Sequence, residues 1–345
     1  MTILVRADAS PELGSGHVVR CANLVQRLRD AGELVVLAAS EITPAVVEWL
    51  QAQDVRVSRV PPLTEVVEDA ASCLRLGLSP DLVIVDHYEL DSQWELVMRS
   101  SGATIVVIDD LANRPHDCDV LIDPSPVEDP RVRYEGLVPQ DARLFLGPAF
   151  ALLREDFLRP DLARERDGTI ERVLVFLGGG VTSDQVLTVL QAIELLEGPP
   201  LQVVILLGYS FQDPGPVHDF AVGRDWLSVV GVTEDVPALM SWADLAIGSC
   251  GGASWERCAL GLPALAVVTA GNQVGNATGL TVAGAAVVLG RISETSVETW
   301  ARSLRVLVGD PVQVRAMSSA ALRLTSGRVT ARLELADALG RQPSP

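Results

Sequence analysis

Short apolar runs alternate along the chain with longer stretches of helical spacing. In the first half, the runs at 2–6, 34–38, 82–86 and 104–109 are mostly β-branched, pass into polar residues and predict strands. Segments 18–30, 44–53, 64–76 and 91–100 carry apolar residues at helical spacing between them. Such βα alternation predicts an open parallel sheet. The charged stretch 158–168, with Pro160 and Gly168, reads as a helix end and a linker. A second alternation follows, with strands at 172–177, 201–207, 227–230, 245–247 and 264–268 and helices at 185–197, 235–242, 255–261 and 274–283. Helical stretches after 293 cap it. The expectation is an α/β chain of two Rossmann-like doubly wound domains, 1–158 and 169–341, with a cleft between them. Ligands of such sheets sit beyond the carboxyl ends of the strands, where the motifs below fall.

A length of 345 residues suits two domains, and 48% hydrophobic residues supply two cores. The net charge of −18 disfavours nucleic acid and anionic membrane as partners. All 27 basic residues are arginine, which excludes a Schiff-base lysine and the lysine of a P-loop. Five cysteines, with no C-x-x-C pair, point away from a disulfide framework or a zinc site and toward a reducing compartment. Cys250 at a glycine-rich helix start admits an acidic thiol, but a small buried thiol is the better reading. No apolar run approaches a membrane span and no leader precedes the first strand, so the expected location is cytoplasmic.

The most informative run is Ser249-Cys250-Gly251-Gly252-Ala253-Ser254-Trp255-Glu256-Arg257-Cys258. It joins a strand to a helix, and its small residues leave backbone amides open to a phosphate. Glu256, one turn in, can accept hydrogen bonds from ribose hydroxyls. Asn272 and Gln273 open the next helix with an amide pair for a second sugar. Gly178-Gly179-Gly180 and Thr182-Ser183-Asp184 form a weaker phosphate-loop signal with neither a P-loop lysine nor a full G-x-G-x-x-G. The candidate ligand contacts are Gly16, Gly179, Ser254, Glu256, Asn272 and Gln273.

In the first half, Gly14-Ser15-Gly16-His17 links the first strand to the first helix. A histidine at a helix start is kept neutral and able to act as a base. His17 is therefore the candidate general base, with Tyr88 positioned to pack on or donate to a sugar. Asp86 and His87 are adjacent on a strand, point to opposite faces, and read as structural rather than ligating. Asp109, Asp110, His116, Asp117 and Asp119 suggest a metal cluster, but they lack a tight ligand repeat and read better as a polar loop. No metal and no cofactor are expected.

These segments resemble the metal-independent UDP-sugar hydrolases of pseudaminic acid biosynthesis. The likeness rests on Arg6-Ala7-Asp8-Ala9-Ser10, Gly14-Ser15-Gly16-His17, Val85-Asp86-His87-Tyr88, Ile108-Asp109-Asp110-Leu111-Ala112 and His116-Asp117-Cys118-Asp119. It continues through Tyr134-Glu135-Gly136-Leu137-Val138-Pro139, Ala151-Leu152-Leu153-Arg154-Glu155-Asp156-Phe157, Trp255-Glu256-Arg257-Cys258, Gly261-Leu262-Pro263 and Asn272-Gln273. The resemblance implies a GT-B-like pair of domains and release of UDP from UDP-2,4-diacetamido-2,4,6-trideoxy-β-L-altropyranose. The implied chemistry is inverting, His-assisted water attack at the anomeric carbon. His17 falls on the family's catalytic histidine, Tyr88 on its active-site tyrosine and Asn272 on its sugar-contacting asparagine. The chain departs from the family before Ser183-Asp184, where about two residues are added, and at Gly252-Ala253-Ser254, where the family often has Ser-Thr-Ser. The competing readings are a glycosyltransferase resembling the peptidoglycan N-acetylglucosaminyltransferase, a hydrolase of another UDP- or GDP-sugar, and a nucleotide-binding module without turnover.

Overall fold

The computed structural model describes residues 1–10, 14–28, 33–127, 129–178, 180–198, 201–208, 211–233 and 235–339. The chain forms two compact units. The first comprises Met1–Leu152 with the C-terminal segment from Gly327, and the second comprises Leu153–Ser326.

The first unit holds seven strands: β1 (Thr2–Ala7), β2 (Leu34–Ala39), β3 (Arg56–Arg59), β4 (Leu82–Asp86), β5 (Thr104–Ile108), β6 (Val120–Asp123) and β7 (Arg143–Leu146). Their order is β3-β2-β1-β4-β5-β6-β7, all parallel. The order reverses between β1 and β4, so their carboxyl ends flank the switch point, where doubly wound sheets bind ligands. The register aligns Ala7 with Asp86. Both sheet faces are covered: Leu4, Val83, Val85, Ile105 and Val107 pack with Trp94, Met98 and Tyr134 on one side. That burial explains why the inner strands read as continuous apolar runs.

The second unit holds six: β8 (Arg172–Phe176), β9 (Gln202–Leu206), β10 (Leu227–Val230), β11 (Leu245–Ser249), β12 (Ala264–Val268) and β13 (Ala286–Arg291). Their order is β10-β9-β8-β11-β12-β13, again parallel, with the switch between β8 and β11. Val173, Val175, Ile247, Leu265 and Val267 pack with Val189, Leu190, Trp300, Leu304 and Leu307.

Two placements differ from the sequence reading. The stretch taken as a linker is built into the second unit. There the buried Arg166 donates to the carbonyls of Met240, Ala243 and Leu260, and a Cβ on Gly168 would overlap the Pro311 carbonyl. The final helix, Arg328–Ala338, packs on β7 and the 3-10 turn Pro148–Phe150 of the first unit, burying Ala331, Leu335 and Ala336. Its apolar stripe finds a partner in the first sheet rather than in the domain that precedes it in sequence.

Candidate functional site

In the first unit, His17 is the second residue of helix Gly16–Leu28, which starts beside the carboxyl end of β1. Gly14 has φ +75° and turns the chain into that helix. A Cβ on the exposed Gly16 would meet nothing within 4 Å, so this side of the helix start stays open. His17 Nδ1 lies 2.6 Å from Asp86 Oδ1. Asp86 also accepts from Arg20 Nε at 2.5 Å and Arg20 Nη2 at 2.7 Å, and Arg20 Nη1 donates to Asp110 Oδ2 at 2.8 Å. Burial alone would push the Asp86 carboxyl up, but Arg20 and His17 outweigh it and hold the group well below the usual carboxylate range. Asp86 is therefore an acceptor, and His17 Nδ1–H donates to it. In the neutral ring this places the lone pair on Nε2, which is the arrangement a general base requires. Tyr88 packs edge-on against the imidazole, with ring centroids 4.6 Å apart.

Asp86 is the residue the sequence reading undervalued. It was assigned to structure, and the structure makes it the group that sets the tautomer and orientation of His17. Its neighbour His87 does point elsewhere. His87 Nδ1 accepts from the Glu89 amide at 3.1 Å, so its Nε2–H donates to Asp8 at 3.2 Å. Asp8 also takes Arg6, the Ser40 hydroxyl and the Ser40 amide at 2.8 Å each. Burial raises its carboxyl, and His87, Arg6 and Ser40 together pull it well below the ordinary value. Asp8 is saturated and serves as scaffold.

The acidic loops after β5 are tied into ion pairs. Asp109 accepts from Arg114 at 2.8 Å and from the Tyr134 hydroxyl at 3.0 Å, and Arg99 binds Asp117 at 2.9 Å and Asp119 at 3.0 Å. His116 Nδ1 lies 2.7 Å from Oε1 of the buried Glu95. Among the described residues, no group of three or more His, Cys, Asp or Glu side chains is placed to hold a metal ion.

In the second unit, three loops gather at the switch point. Gly178 follows β8 with φ +88°, and a Cβ there would lie 3.8 Å from Ser249 Oγ. Gly179 lies outside the described residues. After β11, Ser249 leads into the turn that ends at Ser254 and opens helix Ala253–Ala259. Among the described residues, the amides of Gly251, Gly252 and Ala253 donate to no protein acceptor. The Ser254 hydroxyl is buried and turned inward, 3.3 Å from the Ser249 carbonyl, so Ser254 serves the turn from within. Glu256 is half-buried; burial raises its carboxyl while Arg154 and Arg257 oppose the rise. After β12, Asn272 is exposed, whereas Gln273 folds back so that Oε1 accepts from the Thr269 amide at 3.0 Å. Gln273 Nε2 would lie 3.3 Å from a Cβ on Gly251, so the amide packs closely over this turn. Asn276, which the sequence reading passed over, donates to the Cys250 carbonyl at 3.2 Å and joins two of these loops. Cys250 itself is fully buried, and burial pushes its thiol up to about 11, which removes the acidic-thiol reading.

Residues 173–332 match the model of the glycosyltransferase family 28 C-terminal domain. The fold is GT-B. MurG of Acinetobacter baumannii superposes with a TM-score of 0.66 at 17% identity, covering 98% of this chain and 99% of that one. The spinosyn rhamnosyltransferase SpnG complexed with thymidine diphosphate gives 0.67 at 18% identity, covering 99% and 100%. Among curated sequences, the UDP-2,4-diacetamido-2,4,6-trideoxy-β-L-altropyranose hydrolase of Campylobacter jejuni is 27% identical over 158 residues, 46% of this chain and 53% of that protein. An uncharacterized protein of Methanocaldococcus jannaschii is 20% identical over 270 residues, 76% of this chain and 54% of its own length. The chain thus spans about half the length of the curated relatives it matches. Among the described residues, no helix is long and apolar enough to cross a membrane.

Proposed function

We propose that the chain is a nucleotide-sugar hydrolase that releases UDP from UDP-2,4-diacetamido-2,4,6-trideoxy-β-L-altropyranose. The observation that carries the reading is the His17–Asp86 pair, in which an ionised carboxylate 2.6 Å from Nδ1 turns Nε2 toward the role of base. The partial match to the Campylobacter jejuni hydrolase supports the choice of substrate. In this reading, the second unit grips the nucleotide through the Gly251–Ala253 amides and Glu256, with Asn272 and Gln273 beside them. The first unit supplies His17 and Tyr88. His17 Nε2 takes a proton from water as the water oxygen attacks the anomeric carbon. The bond from C1 to the diphosphate oxygen breaks, and UDP leaves with the electron pair. The sugar is released with inverted configuration and the proton rests on the imidazole. Asp86 stabilises the imidazolium that forms, and general-base help of this kind contributes on the order of 10²–10⁴-fold. The diphosphate is a good leaving group, and open backbone amides favour the charge it gains.

A second reading, a glycosyltransferase, is favoured by the family 28 domain match and the MurG-like fold. There the same base would deprotonate an acceptor alcohol. The test is incubation with UDP- and GDP-linked diacetamido sugars without any acceptor, using wild type and His17→Asn. Rapid nucleotide release by wild type alone, at least ~100-fold faster than by the variant, supports the hydrolase. Release that appears only when an acceptor is added supports the transferase.

A further inference from the structure

Arg257 is the most unusual charge in the second unit. It is 2% exposed, and among the described residues no carboxylate bonds to it. Buried arginines are ordinarily paired or have their donors satisfied. Arg166 in the same unit shows the ordinary solution: its guanidinium donates to the carbonyls of Arg164, Met240, Ala243 and Leu260. Arg257 departs from it. Its Nη2 donates to the Ser249 carbonyl at 2.6 Å and to Ser254 Oγ at 2.9 Å, while Nη1 is buried with no partner. Burial lowers the guanidinium from its usual value. The chain also gives up a side chain to make room for it. A Cβ on Gly248 would lie 2.6 Å from Nη1 and 3.0 Å from the Phe176 carbonyl.

This charge lies beside the turn that carries the open amides. Nη2 joins Ser249 to Ser254, the two ends of the turn that presents the open amides of Gly251, Gly252 and Ala253. Nothing within 4 Å faces Gly252 on the side where a Cβ would stand. A cation fixed behind three unpaired amides adds a long-range attraction to their dipoles, and water screens it little there because it is desolvated.

We propose that Arg257 is a positioning residue for the diphosphate of the bound nucleotide, holding the Ser249–Ser254 turn in shape and supplying a fixed positive charge behind it. The inference rests on the nucleotide reading above and assigns a residue that reading does not use. A buried cation to which no carboxylate bonds, offset only by the through-space pull of Glu256, costs the empty protein stability and is compensated when an anion arrives, a trade of stability for binding.

The test compares UDP with uridine, which lacks the phosphates, by calorimetry on wild type, R257K, R257Q and R257M. Melting temperature confirms folding of each variant. The expected result is that R257Q and R257M lower the UDP-to-uridine affinity ratio at least ~10-fold and leave uridine binding within ~2-fold, while R257K keeps the ratio within ~3-fold of wild type. The two neutral variants are alternatives, so that one failing to fold leaves the other to decide. An unchanged ratio in a folded neutral variant overturns the proposal. So does an equal loss of uridine and UDP, which marks a merely structural arginine. A wild type that does not prefer UDP over uridine overturns the nucleotide reading, and this proposal with it.

Discussion

Replacing Asp86 with asparagine tests the base assignment at its least obvious point. The change keeps volume and removes one charge. Both carboxylate oxygens are committed: Oδ1 takes His17 Nδ1 at 2.6 Å and Arg20 Nη2 at 2.7 Å, and Oδ2 takes Arg20 Nε at 2.5 Å. An amide has one acceptor oxygen, so in either orientation its NH₂ group faces an Arg20 donor. If the NH₂ replaces Oδ1, it also donates to His17 Nδ1, which moves the proton to Nε2 and abolishes the base. If it replaces Oδ2, the tautomer survives but the charge that stabilises the imidazolium is gone. Loss of an orienting aspartate by this substitution in a serine protease costs about 10⁴ in kcat, so a drop on the order of 10²–10⁴ is expected here. Breaking a buried pair costs about 3–5 kcal/mol, and the lower end applies because Arg20 keeps Asp110. The assay is UDP release at saturating substrate, well below the melting temperature, with UDP affinity measured in parallel. UDP affinity should stay within ~2-fold, because Asp86 and the nucleotide loops lie in different units. A folded Asp86→Asn protein with kcat within ~5-fold of wild type would refute the idea that Asp86 sets the tautomer.

Glu256→Ala should weaken UDP binding by about 1.5–3 kcal/mol, the worth of hydrogen bonds to a charged group; unchanged affinity by calorimetry in a folded variant would remove Glu256 from the ribose. Acid sensitivity follows from Asp8 and Asp86, whose folded-state carboxyls lie below the ordinary value. Their stabilisation is complete above the unfolded carboxyl pKa of about 3.9 and is lost as pH falls through the lower folded values. Scanning calorimetry should therefore show the melting temperature falling steeply below about pH 4, and less steeply in Asp86→Asn; parallel curves would count against the pair.

Most inner strands were legible because both faces are buried and their apolar runs are continuous; the exception is β6, whose four buried residues form a run too short to stand out beside the acidic loop before it. The missed strands are mostly those at sheet edges. β3 reads Arg-Val-Ser-Arg with both arginines exposed, and β7 and β13 also lie at the margins of their sheets. Edge strands are short and half-wet, so their composition resembles that of loops. The glycine-bearing turn after β8 was legible for a similar physical reason, since φ +88° at Gly178 leaves little choice of residue. Asp86 was not legible as a partner of His17, because the pairing spans 69 positions and depends on strand order. The burial of Arg257 was not legible either, since an arginine in a helix is ordinarily taken for a surface charge. The Asp109 to Asp119 loops show the converse: their acids looked like candidate ligands, and the arginines that bind them come partly from elsewhere in the chain, as Arg99 does.

The most direct test of the central claim is turnover of UDP-2,4-diacetamido-2,4,6-trideoxy-β-L-altropyranose in H₂¹⁸O, followed by NMR and mass spectrometry. The account predicts ¹⁸O at C1 of a sugar released with inverted anomeric configuration, unlabelled UDP, and turnover by His17→Ala at least ~100-fold slower than wild type. Label on the UDP phosphate would mean that water attacked phosphorus, and retained configuration would mean a covalent intermediate. Either result would contradict base-assisted attack by His17 at the anomeric carbon.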